Sequence, residues 1–118
     1  MVALLSRQEG VFHPIPLTHV IRFGCRVYTL AFDVQTSVQE DGTTFYKWTE
    51  AKFGIPAPTY GEIVAAVVRG RYSADDMESI VNNYLDDPDE EHTREWSEMQ
   101  AWRKKAKALA KSILAQME

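Results

Sequence analysis

Apolar positions along this chain change period near its middle, from strand-like alternation to the three-four spacing of helices. Tyr28–Val38 is rich in β-branched and aromatic residues, and Thr43–Thr49 repeats the pattern, so both stretches predict strands. Between them lies Gln39-Glu40-Asp41-Gly42, whose Asp-Gly pair is a hairpin signal. A two-residue loop sets Trp48 across from Gln35 and mixes the faces. A three-residue loop at Glu40, Asp41 and Gly42 pairs Val38 with Thr44, Thr36 with Tyr46 and Val34 with Trp48. It gathers Phe32, Val34, Val38, Tyr46 and Trp48 on one face. Asp33, Gln35, Ser37, Lys47 and Thr49 take the other, with Phe45 the one misfit. A slip of one residue exchanges the faces, so this sorting selects the three-residue loop, with Gly42 in the left-handed region.

Residues 1–26 are less patterned. Pro14 and Pro16 predict an irregular or extended stretch, and His19–Phe23 alternates enough to add an edge strand. After the hairpin, Gly54, Pro56 and Pro58 exclude a regular element over Phe53–Pro58. Three helix starts follow. Thr59 and Glu62 form a capping box for a helix through Ile63, Val64, Val67 and Val68 that stops near Gly70. Ser73-Ala74-Asp75-Asp76 opens a second helix over 74–86, with Met77, Ile80, Val81, Tyr84 and Leu85 at helical spacing. Asp87 as N-cap and Pro88 at the first helical position open a third. No breaker follows, so this helix runs to about Met117, roughly 45 Å. Met99, Trp102, Ala106, Leu109 and Ile113 form its apolar stripe, widened by Trp96, Ala110 and Met117. Trp48 is expected in the core and Trp96 or Trp102 partly exposed, because one long helix cannot hide both sides.

The predicted fold class is therefore α+β: an antiparallel β-hairpin with room for a third edge strand, two short helices and one long C-terminal helix. At 118 residues the chain has the size of one domain. Its segments are 1–26, irregular or extended; 27–53, hairpin; 59–86, αα-hairpin; and 88–117, long helix. Cys25 is the single cysteine, which excludes an internal disulfide and fits a reducing compartment. Met1–Leu5 lacks the basic start of a leader, and no run is long enough to span a membrane, so a cytosolic location is expected.

The net charge is −4, and its arrangement matters more than its sum. Asp86, Asp87, Asp89, Glu90, Glu91, Glu95 and Glu98 precede Arg103, Lys104, Lys105, Lys107 and Lys111. Acid at the start and base at the end of one helix complement its macrodipole. The acidic half also disfavours anionic lipid as a partner for the basic half.

Candidate chemistry changes the picture little. His13, His19 and His92 have no i, i+4 spacing among them, and one cysteine leaves a structural zinc site short of ligands. Asp87, Asp89 and Glu91 alternate like the start of a calcium loop, but Pro88 intervenes and no glycine stands sixth. There is no Gly-x-Ser-x-Gly elbow and no phosphate-binding glycine loop. Asp75 and Asp76 are adjacent helix-start acids, which carry no acid/base signal by themselves. The reading is of a non-enzymatic protein with no catalytic, cofactor-binding or metal-binding residues. The helix pair over 59–86, joined by Gly70-Arg71-Tyr72-Ser73, has the layout of a helix-turn-helix. Its second helix would present Asp75, Asp76 and Glu78 to phosphates, which favours an αα-hairpin over nucleic-acid binding.

Three segments together resemble a known group. Lys47-Trp48-Thr49-Glu50-Ala51-Lys52-Phe53-Gly54, Arg71-Tyr72-Ser73-Ala74-Asp75-Asp76-Met77 and the run Glu98–Lys107 around Trp102-Arg103-Lys104-Lys105 are similar to small uncharacterised prophage proteins associated with phage tail and tail-fibre genes. The likeness covers about residues 45–115. It implies a hairpin followed by helices, and a role as an accessory or assembly factor for tail proteins. The expected function is then protein–protein interaction through the C-terminal helix, with Trp96, Met99, Trp102, Leu109 and Ile113 as the binding residues. The expected partner is a virion or tail protein, or a second copy of the chain. The alternative is a small DNA-associated regulator using the 59–86 helix pair.

Overall fold

A computed structural model describes residues 3–117. The chain is α+β: a four-stranded antiparallel sheet followed by three helices, the last one long. The strands are β1 (Leu4–Gly10), β2 (Leu17–Arg22), β3 (Cys25–Val38) and β4 (Thr44–Lys52). The helices are α1 (Tyr60–Arg69), α2 (Ala74–Asp86) and α3 (Glu90–Met117). Contacts gather the chain into two compact units, Met1–Glu62 and Ile63–Glu118, divided within the first turn of α1.

In the sheet unit the strand order is β1-β4-β3-β2. The β3–β4 hairpin forms as its side chains dictate: Val38 pairs with Thr44 and Thr36 with Tyr46, around the loop Glu40–Gly42. Gln39 donates its backbone N–H to Thr43 O at 2.8 Å, and Gly42 takes φ +86°. Asp41 fastens the loop by accepting the Thr43 backbone N–H at 2.9 Å, a bond that also lowers its pKa.

Further along, the register departs from the simple alternation. Phe32 pairs with Thr49 but Gln35 with Lys47, so Asp33 and Val34 together oppose Trp48. This β-bulge puts Asp33 at φ +56°, a region that aspartate tolerates better than most side chains. The expected Val34–Trp48 pair is replaced, and the five apolar residues assigned to one face divide between two. Leu30, Phe32, Thr49 and Ala51 define a buried face, while Thr29, Trp48, Glu50 and Lys52 share an open one. Trp48 is consequently half-buried rather than in the core. Its Nε1 donates to Glu50 Oε1 at 3.2 Å, and its indole lies 3.6 Å from where a Cβ on Gly10 would stand.

Residues 1–26, read as irregular or extended, supply both outer strands. β1 pairs with β4 from Leu4–Lys52 to Gly10–Tyr46, and β2 pairs with β3 from Leu17–Leu30 to Arg22–Cys25. The edge strand expected at His19–Phe23 thus forms over Leu17–Arg22. β1 was hidden because Leu-Leu-Ser-Arg-Gln-Glu-Gly does not alternate; the free edge of β4 specifies it. The connection between β1 and β2 passes Tyr46, which His13 meets edge-on at 5.3 Å, and the Ala31 backbone N–H bonds to Pro16 O.

Local signals set the ends of the helices. Ahead of α1, Thr59 and Glu62 exchange the two bonds of a capping box, and the Thr59 N–H lowers the Glu62 pKa. Ser73 and Asp76 do the same for α2. The N-cap of α3 is Asp89, whose Oδ1 accepts the His92 N–H at 2.8 Å, and not Asp87. Asp87 closes α2 instead, donating to Asn83 O; held ahead of Pro88, it takes an extended φ of −148°. Twenty-eight residues make α3 about 42 Å long. No helix among the described residues is long and apolar enough to cross a membrane.

Candidate functional site

The stripe read as a binding surface on α3 serves largely to fill the interior. Met99, Trp102 and Ile113 are buried, Met99 with 1% of its surface exposed; Trp96 and Leu109 keep intermediate exposure. Trp102 Nε1 donates to the Val67 carbonyl at 3.0 Å, and the Arg71 guanidinium lies 3.9 Å above its ring. Trp96 stacks on Tyr84 of α2 with centroids 4.5 Å apart and planes 10° from parallel. Buried as they are, Met99, Trp102 and Ile113 do not form an open face.

Apolar surface is open instead on the sheet. Among the described residues, all the large apolar ones that remain exposed lie in the sheet unit except Leu85. The strand register explains one concentration of them. Leu4 faces Lys52, Thr29 faces Lys52 from the other side, and Val20 faces Val27, which sets these side chains on the open face together. With Phe23, Phe53 and Ile55 they line a groove of about 740 Å³. Arg22 and Lys52 are its charged lining residues, and no carboxylate is among them.

Phe23 marks this groove as more than incidental exposure. Arg22 pairs with Cys25, leaving Phe23-Gly24 as a two-residue turn with φ +52° and +74°. Both values are positive, as in the hairpin turn that asparagine and glycine favour. A phenylalanine there is strained, and 99% of its surface is exposed. The fold thus holds a large apolar side chain in solvent against both backbone preference and the hydrophobic effect. The sequence showed Phe23-Gly24 only as the end of an alternating run; a bulky residue where a tight turn requires a positive φ was the available signal.

Other polar groupings are structural or shallow. On the buried face, Arg7 donates to the Thr49 hydroxyl at 2.7 Å, and with Glu9, Asp33, Gln35 and Lys47 it borders a hollow of about 480 Å³. Asp87, Asp89 and His92 bring one potential ligand atom each within 4.8 Å at the start of α3. His92 Nδ1 is there engaged by the Asp87 carbonyl at 2.6 Å and lies 3.3 Å from Asp89 Oδ1. The carbonyl first, then the nearby carboxylates, raises the pKa of His92. Cys25 is exposed at the turn, and His19 packs against Tyr28 with rings 5.9 Å apart. On α2, Asp75, Asp76 and Glu78 are exposed as the sequence implied. No family model, curated protein or solved structure matches this chain.

Proposed function

We propose that this chain is a non-enzymatic interaction protein, an accessory or assembly factor for a phage tail or tail-fibre protein, that takes its client on the open face of the sheet. The observation that carries the interaction reading is the groove bordered by Leu4, Val20, Phe23 and Ile55, with a strained aromatic held at its rim. The tail assignment is supported by the resemblance over residues 45–115. Burying the groove's exposed side chains would supply the driving force for association, offset by the entropy lost on docking. Arg22 and Lys52 would favour a client segment that carries carboxylates beside apolar residues.

The test is a pull-down from the native host with the tagged full chain, read by mass spectrometry. Recovery of a tail or fibre polypeptide, lost with Phe23→Asp and retained with Leu109→Asp, is the expected result. Retention by Phe23→Asp together with loss by Leu109→Asp would return the contact to α3. If no tail component is recovered, the assignment fails. The DNA-associated reading is tested separately by gel shift at low salt. Tight, salt-sensitive duplex binding would replace the interaction reading, against the expectation from the carboxylates at the start of α2.

A further inference from the structure

β2 is an edge strand of the sheet, so every second residue along it turns its backbone N–H and C=O away from β3. Natural edges are blunted by charge, proline or a bulge. β1, at the opposite edge, carries Arg7 and Glu9. β2 has none of these within Leu17–Ile21, and Val20 and Ile21 are 55% and 61% exposed on its two faces. The register with β3 is regular throughout, with no shift to twist the edge away.

From this edge we infer that the chain forms a twofold dimer in which β2 pairs antiparallel with β2 of a second copy, joining two four-stranded sheets into one. The inference rests on the interaction reading of the sheet and adds a specific partner at its edge. A twofold axis perpendicular to the sheet keeps each face on its own side, so paired residues must share a face. Centring the axis on Val20 meets that condition. Val20 then faces its own copy, His19 faces Ile21, and Thr18 faces Arg22. No two like charges oppose each other. Val20, Ile21 and Phe23 expose on the order of 400 Å² per copy, so the two copies together offer about 800 Å² of apolar surface, at the small, weak end of specific interfaces. The dimer is therefore expected to dissociate on dilution. Its groove becomes a continuous apolar strip across the axis.

The experiment is sedimentation velocity on the full chain through the micromolar range. The wild type is expected to pass from one copy to two as concentration rises. Val20→Lys and Val20→Glu, each alone, are expected to remain single copies, because the substituted charge would face itself across the axis. An equimolar mixture of the two variants is expected to regain the two-copy mass. Circular dichroism of each variant checks that the fold is retained, and the mixture reports the register even if one variant loses stability. A wild type that stays a single copy throughout, or variants that dimerise alone as well as wild type, would overturn the dimer. Client capture by a single-copy wild type would leave the proposed function intact while removing this inference, so the two fail separately.

Discussion

In the helical unit Met99, Trp102 and Ile113 are almost wholly buried, whereas in the sheet unit Leu4, Val20, Ile21 and Phe23 stand largely in solvent. The difference is not one of composition, since both units carry aromatics and aliphatics in quantity. It lies in how each element offers its surface. A helix turns one apolar stripe inward and can close it against neighbouring helices, as Tyr84 and Val67 do for Trp96 and Trp102. A sheet has two faces and two edges, and covering one face leaves the other, together with the edges, still to be satisfied. Apolar residues on that remainder form the surface proposed above for a partner.

The sharpest way to break this contrast is to open the helical unit. Trp102→Ala removes a buried indole, its bond to Val67 and the platform under Arg71, and should cost about 3–5 kcal/mol. Chemical denaturation would then show the midpoint falling steeply, and an unchanged midpoint would mean that α3 is not anchored there. In the sheet unit the sign should reverse. At concentrations where the chain is a single copy, Phe23→Asn relieves a strained, exposed turn residue and should raise stability by about 1–2 kcal/mol, while reducing client capture. A loss of stability would mean that Phe23 is packed in solution.

Ser73→Ala should cost about 1 kcal/mol through the α2 cap, read by thermal unfolding, with no effect on the sheet's contacts. The smallest effect concerns pH. Because His92 has its pKa raised in the folded chain, its contribution to stability is complete below the ordinary value of 6.5 and disappears as pH rises through the folded pKa. An NMR titration of the imidazole should give a midpoint above that of an unfolded peptide. The pH dependence of the thermal midpoint should flatten in His92→Gln.

The helical half was legible because its instructions are local. Thr59 with Glu62 and Ser73 with Asp76 form the caps their spacing implies, and α2 spans 74–86 as read. The Glu40–Gly42 loop belongs to the same class, since Asp41 and Gly42 act within a few residues of themselves. Even here, the choice between Asp87 and Asp89 as the α3 cap needed the structure, because Pro88 admits either reading. The role of the α3 stripe was not legible for a related reason. A stripe such as Trp96, Met99, Trp102, Leu109 and Ile113 has the same spacing whether it meets its own chain or another.

By itself, then, the sequence determined the helix positions, the hairpin and its loop, and the α+β class, all of which follow from periodicity and short-range hydrogen bonding. Only the tertiary structure decided the bulge at Asp33, which divides the apolar residues between two faces. It alone decided that β1 and β2 occupy opposite edges and that Phe23 stands at the rim of an open groove. Strand partnership and burial depend on residues distant in the chain, and a pattern read along one segment carries no record of what lies across from it.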